Sequence, residues 1–179
     1  MATATQVTLT GRDLTLAEVM AVARASAPVR VDPVALERMA AARAVVDRVI
    51  AAGAPAYGVT TGVGIRKAFA VDRPEHDRLL VRQHLVGQGP LAAHEVVRAT
   101  VLRLANALAS GTTPARPALV EHVVAALNAD ELPTVRTLGS VGQADLAAMA
   151  DIADGLLGKS GDRSQCGDGE ANGKKTALT

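Results

Sequence analysis

The sequence predicts a mainly α-helical protein with short extended segments and glycine-rich loops. Apolar residues make up 49% of the 179 residues, and nearly all of them are Ala, Val and Leu, which suit close-packed helices more than a β-sandwich. Apolar residues also recur at three- and four-residue spacing between glycine and proline breaks. We therefore expect one helical domain over residues 1–158. The composition then becomes rich in Gly, Asp, Lys and Ser, which predicts a disordered tail at 159–179.

Charge and motifs exclude several classes of function. The 19 basic and 18 acidic residues give a net charge of +1 without a basic cluster, which predicts no binding to nucleic acid or to a membrane. No apolar run of membrane-spanning length, signal-peptide pattern or disulfide framework occurs, so we expect a cytoplasmic protein. Metal-ligand spacings are absent, and the glycine patterns at 62–64 and 173–176 fail as nucleotide motifs. A small molecule or another protein is the expected partner.

The chain opens with an extended segment and a capped helix. Polar and apolar residues alternate over 6–10, which predicts a short strand that ends at Gly11. Thr15 and Glu18 have the spacing of a capping box, and the apolar stripe that follows predicts a helix as far as about Ser26.

A longer second helix leads to the first glycine loop. Asp32 followed by Pro33 has the pattern of an N-cap with proline at the first helical position, and the helix is expected to end at Gly53. Pro74 is expected to open a third helix that ends near a glycine and proline stop at 87–90. The patterns beyond it predict helices at 92–110 and from Pro117, an extended segment at 134–138, a second glycine loop at 139–142 and a helix at 145–157.

The first glycine loop, 57–64, contains three glycines in eight residues and the chain's one tyrosine. Glycine lets the backbone approach a ligand closely. A phenol is a poor base at neutral pH, so a catalytic Tyr57 needs positive charge or hydrogen-bond donors near its oxygen. The alternative is a glycine-rich turn whose tyrosine packs by its ring and hydrogen-bonds by its hydroxyl. Both interpretations remain open on these residues.

Among the polar residues, His84 is the best-placed imidazole, because it precedes the backbone opening at 87–89. A purely capping role at the end of the third helix is the alternative. His76, His94 and His122 lie among charged residues, which predicts a solvated surface. Asp145 is expected to support the N-terminus of the last helix, whereas Asp151 and Asp154 are predicted to be solvated.

Five segments together carry a family resemblance. In order, they read VTLTGRDLTLAEVMAVAR, VDPVALERMAAARAVVDRVIAAGAPAYGVTTGVG, LLVRQHLVGQGPL, VVRATVLRLANALASGTTPARPALVEHVVAALNA and LPTVRTLGSVGQADLA. Their order and spacing resemble the N-terminal part of the histidine and phenylalanine ammonia-lyase family, from Val7 to Gly158. The resemblance implies a helical, tetrameric fold that eliminates ammonia from an aromatic amino acid. It also implies Tyr57 as the catalytic base, and His84 with Gly64 as substrate-binding residues.

The resemblance fails where the family forms its electrophile, methylidene-imidazolone, from an internal Ala-Ser-Gly triad. The family reads GSVGASGDLAPL, whereas residues 139–149 read GSVGQADLAAM, one residue shorter and without the serine and glycine of the triad. Ser140 is followed by Val141, whose branched side chain crowds the cyclisation. Thr60 and Val63 also replace the family's usual Asn and Phe. We therefore expect no cofactor at the degenerate loop, which comprises Gly142, Gln143, Ala144 and Asp145.

Three functional hypotheses remain. The chain is a relative of a carbon-nitrogen lyase that binds an amino acid but is inactive alone, a non-catalytic partner of a longer lyase-like chain, or an inactive truncated remnant. The apolar stripes at 97–108 and 119–127 exceed what the chain is expected to bury by itself. We therefore predict a homo-oligomer or a complex with a longer lyase-like chain.

Overall fold

The computed structural model describes residues 6–71, 75–140, 142 and 145–157. The predicted tail, Pro74, and Gln143 and Ala144 of the degenerate loop lie outside these residues. The described part is mainly helical, as predicted, with a 3-10 turn at Gly64–Arg66. Its helices and strands are β1 (Val7–Leu9), α1 (Leu16–Ala25), β2 (Val29–Val31), α2 (Pro33–Ala51), α3 (Glu75–Gln83), β3 (Gln88–Leu91), α4 (His94–Ala109), α5 (Pro117–Asn128), β4 (Arg136–Leu138) and α6 (Leu146–Leu157).

Local capping signals set the first two helices as the sequence predicts. The backbone N–H of Thr15 donates to Glu18 Oε2 at 2.8 Å, and the N–H of Glu18 donates back to Thr15 Oγ1 at 3.2 Å, which completes the capping box. Asp32 Oδ1 accepts the N–H of Val34 at 2.9 Å, with Pro33 in the first turn of α2. The starts of α1 and α2 therefore follow from a few adjacent residues.

A small parallel sheet joins the start of the chain to the core. β1, predicted as the strand at 6–10, pairs with β2, and Val7 lies opposite Val29. β2 is not predicted from the sequence, because three residues between a helix and an N-cap are too few to show alternation. The side chain of Asn128 hydrogen-bonds to the backbone of β2. Its Oδ1 accepts the N–H of Val29 at 2.9 Å, and its Nδ2 donates to the carbonyl of Val29 at 2.8 Å. The end of α5 is thereby joined to this sheet.

The core lies where α4 packs on α1 and α5, with α2 and the β1–β2 sheet around them. Its largest fully buried side chains include Leu9, Met39, Leu102 and Leu127. Arg98 is also buried, with 3% of its surface exposed. It donates to the carbonyls of Val22 at 3.0 Å and Leu127 at 3.2 Å and pairs with Asp130. The buried charge is therefore hydrogen-bonded and paired, as burial requires.

A second sheet includes residues of the glycine and proline stop predicted at 87–90. Gln88 to Leu91 form β3, which is antiparallel to β4, the segment predicted as extended. Pro90 has no N–H to donate, and the register shifts between the ends of β3. Side chains add bonds: Arg136 Nη1 donates to the Gly89 carbonyl at 2.9 Å, and Thr137 Oγ1 to the Pro90 carbonyl at 3.0 Å. A glycine- and proline-rich strand of this kind has no alternation signal.

Candidate functional site

Thr60 organises the start of the first glycine loop. Its hydroxyl donates to the carbonyl of Ala54 at 2.7 Å and accepts the N–H of Ala56 at 2.8 Å. The carbonyl of Ala56 in turn accepts the N–H groups of Val59, Thr60 and Thr61. The threonine at position 60, where the family usually has Asn, thus binds the backbone just before Tyr57, at Ala54 and Ala56.

The far end of the loop folds back on its start. Thr61 pairs with Ala70 in an isolated antiparallel bridge, and the N–H of Gly62 donates to the carbonyl of Phe69 at 3.0 Å. Gly62 is buried, and a Cβ at this position would lie 2.8 Å from the Cβ and the carbonyl oxygen of Arg66. Residues 57–70, here called the tyrosine lobe, therefore form a closed unit that requires glycine at position 62.

The structure brings together two of the residues predicted for the site. The Tyr57 phenol oxygen accepts the backbone N–H of Gly64 at 3.0 Å, and Gly64 has a φ of +56°, which favours glycine. Tyr57 is 65% exposed, and its own O–H donates to no group within the described residues. The phenol oxygen is thus held by a backbone donor, and the side chain is largely open to solvent.

His84 follows the last residue of α3, as predicted. Its Nδ1 lies 2.7 Å from the carbonyl oxygen of Leu80, so this nitrogen carries the hydrogen and caps the last turn. The capping contact that the sequence left open is therefore present. In that tautomer, Nε2 keeps its lone pair for another group. Within the described parts of the chain, no hydrogen bond or ion pair joins His84 to the tyrosine lobe.

The second glycine loop packs directly on the segment after His84. A Cβ at Gly139, which has a φ of +135°, would lie 3.1 Å from the Cα of Gly87 and 3.2 Å from the Val86 carbonyl oxygen. Gly87 in turn faces the carboxylate of Asp151: a Cβ there would be 2.9 Å from Asp151 Oδ2. Glycine at both positions therefore allows this close approach.

Asp151 contradicts the prediction that it is a solvated side chain. It is only partly exposed, and Oδ2 accepts the backbone N–H of Arg136 at 3.0 Å. This bond ties α6 to β4 next to Gly87. No spacing in the sequence indicates such a contact, because Asp151 and Arg136 lie in different elements. Sequence reasoning thus missed a residue that holds α6 against β4 beside Gly87.

The degenerate cofactor loop lies between β4 and α6. Gly142 and Asp145 are exposed with φ of +88° and +44°, and the carbonyl of Asp145 accepts the N–H of Met149 as α6 begins. Formation of the family's methylidene-imidazolone needs a serine to dehydrate and an unhindered glycine amide. Residues 142–145 contain no serine, their one glycine is followed by Gln143, and the nearby Ser140 is followed by Val141 instead of glycine. The residues present therefore do not fit this group.

The other histidines have structural surroundings. His94 and His122 are exposed, as predicted; His94 Nε2 lies 3.1 Å from Asp130 Oδ1, and His122 Nε2 lies 2.8 Å from the carbonyl oxygen of Leu156. His76 departs from the prediction of a solvated surface, because its Nε2 is buried and has no hydrogen-bond partner among the described residues. Over the same residues, no group of three or more His, Cys, Asp or Glu side chains is placed to hold a metal ion.

Comparisons with known proteins identify the class of this fold. The aromatic amino acid lyase family matches residues 14–176. The chain therefore belongs to the aromatic amino acid lyase family, which confirms the resemblance seen in the sequence. The match extends past residue 158, where the composition changes.

Two curated relatives illustrate the similarity. A histidine ammonia-lyase from Deinococcus radiodurans is 39% identical over 151 residues, which are 82% of this chain and 29% of the relative. A tyrosine ammonia-lyase from Cupriavidus metallidurans is 40% identical over 154 residues, with 83% of this chain and 29% of the relative covered. The chain thus spans about 29% of the length of these relatives and corresponds to their N-terminal part.

Solved structures share the fold. Ergothionase from Treponema denticola, in complex with desmethyl-ergothioneine sulfonic acid, superimposes with a TM-score of 0.81 at 30% identity and covers 84% of this chain and 31% of that one. Histidine ammonia-lyase from Trypanosoma cruzi gives a TM-score of 0.76 at 28% identity, with 86% and 30% covered. The predicted helical lyase-like fold is confirmed. No helix in the described parts of the chain is long and apolar enough to cross a membrane.

Proposed function

We propose that this chain binds an aromatic or imidazole-bearing amino acid with residues of the family's site, and that it does not eliminate ammonia by itself. The observation that carries this proposal is the hydrogen bond from the Gly64 N–H to the Tyr57 oxygen. It orients the chain's one phenol at the surface of a closed glycine-rich lobe. The names of the relatives, which are histidine and tyrosine ammonia-lyases, indicate the class of ligand.

Tyr57 and His84 have complementary roles in this proposal. The O–H of Tyr57, which has no acceptor among the described residues, is a donor for a ligand and the group that exchanges a proton with it. The Nε2 of His84, which has no partner among the described residues, accepts a hydrogen bond, or donates one to a carboxylate when the ring is protonated. Gly64 contributes through its backbone, because its N–H holds the phenol oxygen. His84 therefore contacts the ligand, whereas Gly64 positions Tyr57.

Elimination of ammonia needs more than a base, because the amino group is a poor leaving group without an electrophile. The sequence at 142–145 has neither the serine nor the glycine from which the family makes one. We therefore assign no cofactor to this chain. Its residues support ligand binding and proton exchange at Tyr57, but not the loss of ammonia.

Calorimetric titration with L-histidine, L-tyrosine and L-phenylalanine tests the proposal. We expect binding of at least one of them, and His84→Ala is expected to weaken it about tenfold if Nε2 contacts the carboxylate. His94→Ala is the matched control, since His94 contacts Asp130 instead. Absence of binding by all three amino acids, or equal loss in both variants, would contradict the proposal. The first outcome would favour an inactive remnant.

A second candidate function is that of a non-catalytic partner for a longer lyase-like chain. The observation that favours it is the exposure of the tyrosine lobe: Tyr57 is 65%, Phe69 66% and Ile65 96% exposed, and the first two are the chain's only aromatic residues. Large exposed apolar side chains concentrated on one lobe are typical of an interface. Co-expression with a longer lyase-like chain tests this role: a stable complex that is lost in Phe69→Asp is the expected result. A complex insensitive to this change would contradict it.

A further inference from the structure

An apolar groove runs along α1 and α4, and none of its lining residues belongs to the tyrosine lobe. It has a cavity volume of about 610 Å³. Alanines line it at Ala23, Ala99 and Ala107, and the larger side chains along it include Met20 and Val96, which are 42% and 51% exposed. A groove lined by small residues and edged by exposed apolar ones has the shape that accepts another helix.

The charges along this groove follow a regular pattern on α4. Glu95, Ala99 and Arg103 are four residues apart, so they lie on one face of the helix, and all three line the groove. Glu95 pairs with Arg24 of α1 at 2.8 Å, with both side chains about half exposed. Arg103 makes no hydrogen bond or ion pair with any described residue. A guanidinium left without an anion therefore borders an apolar groove.

This pattern is self-complementary about Ala99. At a rise of about 1.5 Å per residue, Glu95 and Arg103 lie roughly 6 Å to either side of Ala99 along the helix. If a second α4 crosses the first in the opposite direction at Ala99, Glu95 of each copy faces Arg103 of the other. Because of the two-fold axis, this pairing of Glu95 with Arg103 occurs twice, and both copies use the same surface.

We propose that this face is a homodimer interface in which two copies of α4 pack antiparallel across a two-fold axis at Ala99. The alanines allow close approach of the two helices, and Met20 and Val96 of each copy become covered. Glu95 retains lone pairs for Arg103 of the second copy while it binds Arg24. Charge pairs at such an interface set the register of the two helices, and apolar burial supplies most of the affinity.

Two other occupants fit the groove less well. Residues 159–179 contain Leu178 as their one large apolar residue, so they do not supply the side chains that would fill an apolar groove. A helix from a longer lyase-like chain would also cover the apolar walls. Such a helix, however, need not carry an acidic and a basic residue in the reversed order that pairs with Glu95 and Arg103. The symmetric spacing of the two charges therefore favours a second copy.

Sedimentation velocity of the purified chain with three charge variants tests the proposal. We expect a dimer, and Arg103→Glu or Glu95→Arg alone to weaken it at least about tenfold because like charges then face each other twice. The double variant Glu95→Arg/Arg103→Glu is expected to bind more tightly than either single variant, although it stays weaker than the unchanged chain because the pair of Glu95 with Arg24 is lost. Arg30→Glu, on the exposed side of β2, is the matched control and should leave the dimer unchanged.

A cysteine at the axis locates the interface independently. In a Cys166→Ser background, Ala99→Cys is expected to form an intermolecular disulfide much faster than Val34→Cys, which lies on exposed α2. A chain that stays monomeric at high concentration would overturn the proposal, even if it bound a longer lyase-like chain. So would a dimer that ignores the charge variants, or equal cross-linking at positions 99 and 34. Amino acid binding does not enter these readouts, so their outcome is separate from that of the proposed function.

Discussion

The phenol oxygen of Tyr57 accepts the backbone N–H of Gly64 at 3.0 Å, across the open end of the first glycine loop. The two residues are seven positions apart, and Gly64 reaches the bond with a φ of +56°. The hydroxyl therefore has a structural partner before any ligand arrives. Loss of that hydroxyl should affect the loop itself as well as any chemistry at the phenol.

Tyr57→Phe is predicted to loosen the tyrosine lobe without unfolding the protein. The change removes the acceptor of the Gly64 N–H and leaves the ring in place. A hydrogen bond contributes about 0.5–1.5 kcal/mol, so exchange of the Gly64 amide hydrogen should accelerate roughly 2- to 12-fold. Hydrogen exchange followed by NMR measures this rate. The amides of α4 serve as the internal control, and unchanged protection at Gly64 would show that the bond does not hold the loop in solution.

The purified protein is predicted to carry no methylidene-imidazolone. Residues 142–145 lack the serine and glycine of the triad, so no backbone cyclisation with loss of two water molecules takes place there. Intact mass spectrometry should give the mass of the unmodified chain. A species lighter by two waters, with the loss mapped to a peptide that spans 139–145, would contradict this prediction.

Local signals made most of the fold predictable. Thr15 with Glu18, and Asp32 with Pro33, specify helix starts within a few residues of sequence, and the structure contains both caps. The pairing of β2 with β1 and of β3 with β4 depends on contacts between distant segments. Arg98 is a further example, because its acceptors are supplied by other elements of the fold. Such contacts leave no periodic pattern in the sequence.

The candidate site shows the same division. Tyr57 and His84 stand out in the sequence, because one is the chain's only tyrosine in a glycine-rich loop and the other precedes a glycine opening. The bond between Tyr57 and Gly64 depends on a positive φ that residue type alone does not specify. Asp151 was missed because it acts on Arg136 and Gly87 only after α6 packs against β4. The candidate functional residues can thus be predicted from the sequence. The contacts that position them form only when distant segments pack together in the fold.

Glu18 is predicted to make stability depend on acid pH. Its pKa lies below the ordinary value of 4.5, chiefly because its carboxylate accepts the backbone N–H of Thr15 and also the Thr15 hydroxyl. A carboxyl whose pKa is lower in the folded state stabilises fully above its unfolded value, and this stabilisation is lost as pH falls through the folded value. The effect is modest because Glu18 is partly exposed to solvent, which screens the charge.

The matched variant is Glu18→Gln, which keeps the side-chain shape and removes the charge. Urea unfolding of both proteins across the acid range should give a stability difference that is constant well above pH 4.5 and shrinks on further acidification. If the difference in the free energy of unfolding stays constant down to the acid limit, the charge of Glu18 does not contribute to the stability of the capping box.

Gly11→Ala is predicted to destabilise the protein far more than Gly53→Ala. Both glycines have positive φ, +79° and +63°, so an alanine meets a similar backbone penalty of about 1–2 kcal/mol at either position. They differ in the space around them. A Cβ at Gly11 would overlap the backbone of Ala109 and Ser110 at the end of α4, whereas a Cβ at Gly53 meets nothing within 4 Å.

The clash at position 11 also displaces a hydrogen bond, because the Gly11 N–H donates to Asn106 Oδ1 at 3.0 Å and part-buried donors are costly to leave unpaired. We therefore expect Gly11→Ala to lower the free energy of unfolding by roughly 3 kcal/mol or more, and Gly53→Ala by about 1 kcal/mol. Urea denaturation with an unchanged m-value measures both. Equal losses in the two variants would mean that β1 can move away from the end of α4 at little cost, and that the contact between Gly11 and Ser110 does not anchor the start of the chain.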